Sequence, residues 1–182
     1  MLRIILRIIA VLGSIVVVLI AAALIFVATR PDTIRVQRVV SIKASPEKIF
    51  PHIDDLRSFA TWAPWEKENP AMKRTFSGAA SGKGAVYEWG GGDDFTQGRM
   101  EIADSSPPSK VVIKVDFIQP DQPNSIVEFK LQAKGDATDV TWTMQSPKSF
   151  VEKFMFLFFD VDSIMGAGFE AGLANLKAIV EK

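Results

Sequence analysis

At 182 residues the chain has room for one ordinary domain and an appendage, and with no cysteine it can form neither a disulfide nor a thiolate nucleophile nor a cysteine metal site. Basic and acidic residues balance at 21 each, but residues 1–30 hold Arg3, Arg7 and Arg30 and no acid, so 18 basic residues face 21 acidic ones beyond them. That acidic remainder argues against a nucleic-acid binder, whose affinity comes from a basic surface.

The first predicted element is Ile8 to Ala28, uncharged throughout, with Ser14 its single hydroxyl. At about 1.5 Å per residue it extends roughly 31 Å, the thickness of a hydrocarbon core. It reads as a single-pass membrane anchor. A cleaved signal peptide is the other reading, with Ala21-Ala22-Ala23 as the small-residue site, but the apolar run continues past those alanines. Arg3 and Arg7 favour a cytoplasmic N-terminus, whereas Arg30, Arg35, Arg38 and Lys43 pull the other way. The short basic tail favours a domain outside the cytoplasm. The expected division is an anchor over residues 1–30 and a folded domain over 31–182.

Pro31 ends the helix, and Ile34, Val36, Val40 and Ile42 share one face at period two, which predicts a strand. In "SPEKIF", Ser45, Pro46 and Glu47 form a helix start. Pro51 keeps that helix short, and Asp54 or Asp55 can cap a second through "LRSFATW", stopped by Pro64. Six strand-like runs follow between Met72 and Ser146, separated by Gly78–Gly84, Gly90–Asp94, Pro107-Pro108, Pro120–Pro123 and Gly135-Asp136. Such short connections imply an antiparallel meander. Phe150 to Lys182 reads as helical, with Met165, Phe169, Leu173, Leu176 and Val180 on one stripe. Gly166, Gly168 and Gly172 each weaken that helix by roughly 1 kcal/mol relative to alanine. Either close packing on the sheet or room for a cavity must compensate.

This order, with "ASPEKIFPHIDDLRSFATWAPW", "SGAASGKGAVYEW" and "GFEAGLANLKAIVE", resembles the helix-grip (SRPBCC) superfamily of START domains, plant Bet v 1-type proteins and bacterial polyketide cyclase/dehydrase-like proteins. The resemblance covers about residues 34–181 and is nearest to the membrane-anchored bacterial members. It implies an α+β fold of the order β-α-α-β6-α: a curved antiparallel sheet around a long C-terminal helix, here preceded by one transmembrane helix in the inner membrane. It also implies an apolar cavity between sheet and helix. Trp62 and Trp65 would be the wall and lid of that cavity, or of the core beside it. Tyr87, Trp89, Met100 and Phe117 would line it, as would Phe129, Trp142 and Met144, while Phe154, Phe158 and Phe169 would come from the C-terminal helix. Phe95 also suits an interior. Members of the superfamily bind lipids, hormones or aromatic polyketides, and a cyclase activity does not transfer on fold alone.

Candidate chemistry is sparse. His52, the single histidine, has neither a second imidazole nor a cysteine with which to hold a metal. Tyr87, the single tyrosine, is either packed against a backbone acceptor or aimed at a ligand. Arg99 and Glu101 share a strand face opposite Met100 and Ile102 and are solvated if Met100 is inward. Asp93-Asp94 lacks the spaced oxygens of a calcium loop and reads as a hairpin turn. No serine–histidine–aspartate set, phosphate loop or paired carboxylates stand out, so no catalytic residue, metal or cofactor is assigned. "FMFLFF", residues 154–159, circles a helix with apolar side chains, and it lines a cavity mouth, touches the bilayer, meets a partner or is buried on both sides by the Trp62–Trp65 corner. Three functions stay open: binding of a hydrophobic or amphipathic small molecule, an accessory subunit of a larger membrane complex, and a cyclase or dehydratase with Tyr87 as acid.

Overall fold

The computed structural model describes residues 2–68, 71–90, 97–119 and 124–182. The Asp93-Asp94 turn, Phe95 and the connection through Pro120–Pro123 lie outside the described residues. Residues Met1–Asp32 and Lys148–Phe159 form one compact unit, and Thr33–Pro147 with Asp160–Lys182 form another.

The first unit is built on helix α1, Leu2–Ala28. Its Val11–Ala28 portion is long and apolar enough to cross a membrane, a property shared by membrane spans and signal sequences. The unit also contains a short helix set apart from the rest of the C-terminal region, described below.

The second unit is a seven-stranded antiparallel sheet with helices. Strand β1 is Thr33–Ile42. Four short helices follow where the sequence predicts two: α2 (Pro46–Ile49), α3 (Pro51–Asp54), α4 (Leu56–Ala60) and α5 (Trp65–Glu68). Prolines explain the fragmentation. Pro46 and Pro51 sit at helix starts, where the missing N–H is harmless, and neither can continue a preceding turn. Asp55, not Asp54, caps α4, accepting from Arg57 N at 2.8 Å. Asp54 instead accepts from Ser105 Oγ at 2.6 Å.

Strands β2 (Lys73–Gly78), β3 (Ala85–Gly90), β4 (Gln97–Ser106), β5 (Lys110–Gln119), β6 (Ser125–Lys134) and β7 (Ala137–Pro147) make the predicted meander. The spatial order is β1-β7-β6-β5-β4-β3-β2. The four short helices therefore carry the chain from one edge of the sheet to the other. Alternation sets the faces: Met100 and Ile102 are buried, while Arg99 and Glu101 pair with each other on the opposite face at 2.7 Å.

The C-terminal region is broken where the sequence reads continuously helical. Helix α6 covers Phe150–Met155 and α7 covers Val161–Val180. Asp160 starts α7 afresh, its carboxylate accepting from Ser163 N at 3.1 Å. α7 lies on the sheet by its Phe169–Leu173–Leu176–Val180 stripe. Two of its three glycines permit that approach. A Cβ on Gly172 would come within 2.9 Å of the Trp142 ring, and one on Gly166 would strike the Arg38 guanidinium. Arg38, on the inner face of β1, pairs with Asp162 at 3.1 Å and Glu170 at 2.6 Å and ties the helix to the sheet edge. The third glycine, Gly168, faces open space.

Candidate functional site

That open space is a cavity of about 400 Å³ between the sheet and α7. Its floor comes from alternate residues of the strands: Trp89 on β3, Met100 on β4, Ile113, Val115 and Phe117 on β5. Val127 on β6 and Trp142 and Met144 on β7 continue it. Ile164, Met165, Gly168 and Phe169 of α7 form the roof, and Phe59, Trp65 and Met72 close one side. Ile164 is largely exposed and marks the rim. Trp142 sets the shape of the roof contact, its ring stacked on Phe169 at 4.3 Å and 4°. Trp65 meets it edge-on at 6.0 Å.

The Trp62–Trp65 corner divides its labour. Trp62 is fully buried beneath the lining. Its Nε1 donates to the His52 carbonyl at 2.8 Å, and its own carbonyl accepts from Asn175 Nδ2 at 3.1 Å. His52 thereby acts through its backbone, while its ring Nδ1 sits 3.0 Å from Ser58 Oγ. Trp65 alone reaches the cavity, and the residue after it fixes its place. The Glu66 carboxylate accepts from the Tyr87 hydroxyl and from Arg74 Nε, each at 2.5 Å. Arg74 also donates to the carbonyls of Met72 and Glu66 at 2.7 and 3.1 Å. This buried network pins α5 and Met72 onto β2 and β3. Burial, and then the Glu66 hydrogen bond, push the Tyr87 phenol above its ordinary value.

Of the residues expected at a ligand, Trp65, Trp89, Met100, Phe117, Trp142, Met144 and Phe169 are in the lining. Trp62, Tyr87 and Phe129 are packed behind it with no exposed surface. Tyr87 spends its hydroxyl on Glu66 rather than on the cavity. Phe154 and Phe158 fall in the other unit, where their rings touch each other at 5.4 Å. Phe59, Met72, Ile113, Val115, Val127 and Ile164 are not expected there from the sequence, while Met165 reads on the helix stripe and Gly168 among the glycines that packing or a cavity must compensate. Ile113, Val115 and Val127 were legible, since they alternate in step with Phe117 and Phe129. Phe59 and Met72 carried no such signal.

Among the described residues the lining holds no charged side chain, and its side-chain N–H groups are those of three indoles, Trp65, Trp89 and Trp142. Among the described residues no group of three or more histidine, aspartate or glutamate side chains is placed to hold a metal. Such a space accepts apolar surface and offers no desolvated charge to a reacting centre.

Residues 33–181 match the family described as polyketide cyclase / dehydrase and lipid transport. The chain belongs to that family. Solved structures agree on the fold. Protein CV1439 from Chromobacterium violaceum is 17% identical, with 84% of this chain and 99% of that one covered and a TM-score of 0.58. The Aha1 dimer from Colwellia psychrerythraea is 19% identical over 81% of this chain and 96% of that one, with a TM-score of 0.57. Ara h 8.0201 is 11% identical over 81% and 97%, also at 0.57. No curated protein matches at a significant level. At these identities the neighbours establish the helix-grip architecture, which the polyketide cyclase/dehydrase and lipid transport family shares with Bet v 1-like proteins.

Proposed function

We propose that this polyketide cyclase-like domain binds a hydrophobic or amphipathic small molecule between its sheet and α7, while α1 anchors it to a membrane. The observation that carries the reading is the cavity: about 400 Å³, walled by indole, phenyl, thioether and branched aliphatic groups. That volume lies within the range of small-molecule sites, roughly 300–1,000 Å³. Gly168 supports it further. A glycine in the middle of a helix that touches nothing costs stability, and here its missing side chain is what keeps the roof open. The ligand is apolar over the surface it buries, because the described lining residues could not satisfy a charge. The anchor spans residues 8–28 of the inner membrane and holds the domain on its outer side.

Native mass spectrometry of the detergent-purified full chain tests this directly, looking for a bound lipid or aromatic compound. Uptake of the fluorescent probe N-phenylnaphthylamine provides the second arm. Gly168→Phe projects a ring into the space and should abolish uptake. If wild type takes up no hydrophobic compound, or if Gly168→Phe takes up as much as wild type, the reading is wrong.

A further inference from the structure

The unit built on α1 contains a segment whose polarity is turned inside out. Residues Lys148–Phe159 include α6 and the turn after it. The segment's one buried polar side chain is that of Lys153. Ser149 and Glu152 satisfy each other's backbone in a capping box, with Ser149 N to Glu152 Oε2 at 2.7 Å and Glu152 N to Ser149 Oγ at 3.2 Å. Lys153, its side chain 8% exposed, is ion-paired with Asp32 just beyond α1. Lys148 N donates to the Asp32 carbonyl at 2.8 Å. The apolar groups point outward: Phe150, Val151, Phe154, Met155 and Phe159 are all exposed, and Phe158 is 70% exposed. A helix folded for water would have the reverse arrangement.

The surroundings of these side chains indicate what covers them. Asp32, shortly after α1, fastens the segment next to the end of that helix, whose own large apolar side chains are also exposed. The flanking cations match a headgroup layer. Arg30 lies 4.2 Å over the Phe26 ring, and Lys148 lies 5.9 Å from the Phe156 ring centroid. Aromatic rings beside basic side chains, at the end of an apolar span, are the composition of a membrane–water interface.

We propose that residues 150–159 form a second membrane contact, an interfacial helix and turn that bed in the headgroup–acyl boundary where α1 leaves the bilayer. The segment lies in the plane of the interface at a depth of about 5–10 Å. The proposal rests on α1 being a membrane span, and its consequence is that the domain is held at two points and not on a free tether.

The chain's lack of cysteine makes the test clean. Single cysteines are placed at Val16 and Phe158, both exposed positions where the change is small. Each full-length variant is labelled with the fluorophore NBD and reconstituted into phosphatidylcholine–phosphatidylglycerol vesicles. The expected result is blue-shifted emission at both sites, with brominated lipids quenching each at least twofold. Bromines deep in the chain should act best at Val16, and those near the headgroup at Phe158. Quenching at Val16 with water-like emission at Phe158 overturns this proposal and leaves the anchor standing. Blue-shifted emission at Phe158 without lipid quenching also overturns it, because a protein then covers the segment. Absence of quenching at Val16 removes the anchor, and this proposal with it.

Discussion

Two stretches of this chain carry clustered large aromatic side chains and have opposite fates. In residues 59–65, Phe59 and Trp62 are buried and Trp65 is partly buried at the cavity. In residues 150–159, most of the large apolar side chains are exposed. The difference lies in the polar atoms between them. The tryptophan corner is bracketed by groups that find partners across the domain: the His52 carbonyl, Asn175, Arg74 and Tyr87. The phenylalanine run has Ser149, Glu152 and Lys153, whose partners are local or belong to the end of α1. Apolar content drives burial somewhere, and the hydrogen bonds decide against what.

The largest effect should come from removing the better-buried member of the first stretch. Trp62→Ala deletes a fully enclosed indole that packs edge-on against Phe59, Phe129 and Trp142. A loss of about 3–5 kcal/mol is expected in urea unfolding of the detergent-solubilised chain. Phe158→Ala, in the second stretch, should change stability by no more than about 0.5 kcal/mol. Equal losses would mean the two stretches are buried alike, and the comparison would collapse.

A smaller effect tests the network that fixes Trp65. Tyr87→Phe removes the donor to Glu66, a buried carboxylate, and should cost about 1–3 kcal/mol. The pH dependence has a definite sign. Folding raises the phenol's pKa above its ordinary 10.0, so folding favours the neutral form. Its contribution is complete below pH 10 and is lost as pH climbs beyond it, at about 1.4 kcal/mol per pH unit. The chain has one tyrosine, so the ultraviolet phenolate band reports this residue alone. Phenolate should appear together with unfolding in the native protein and near pH 10 in urea. A native protein that ionises freely at pH 10 would show that the hydroxyl is not held as described.

How much of this was legible beforehand follows from the same physics. Period-two alternation fixed the strands and faces, so Met100, Phe117, Trp142 and Met144 fell where the pattern put them. Prolines announced breaks but not their number, because a proline permits a new helix as readily as it ends an old one. That is why four short helices stand where two were expected. The split between α6 and α7 was hidden, since Phe154–Phe159 reads as helix in any apolar window and Asp160 looks like one more acid. The Glu66–Tyr87–Arg74 network could not be read either: its members come from α5, β2 and β3, and no local pattern says that the three meet. Phe154 and Phe158 were assigned to a cavity on aromatic character, the property least able to say which side a ring is buried on.

The smallest expected effect is the sharpest, because it separates the two explanations for glycine in α7. Gly168→Ala meets nothing and gains helix propensity, so it should stabilise the chain by about 0.8–1.0 kcal/mol. Gly166→Ala gains the same propensity but drives its methyl into the Arg38 guanidinium, displacing it from Asp162 and Glu170. Those ion pairs are partly solvated and worth little each, so the net change should be near zero or negative. In an Arg38→Ala background the obstacle is gone, and Gly166→Ala should recover the full gain seen at Gly168. A thermal-unfolding double-mutant cycle reads the coupling directly. If Gly166→Ala stabilises equally with and without Arg38, the glycine is not there for the arginine, and α7 is held to the sheet edge by something else.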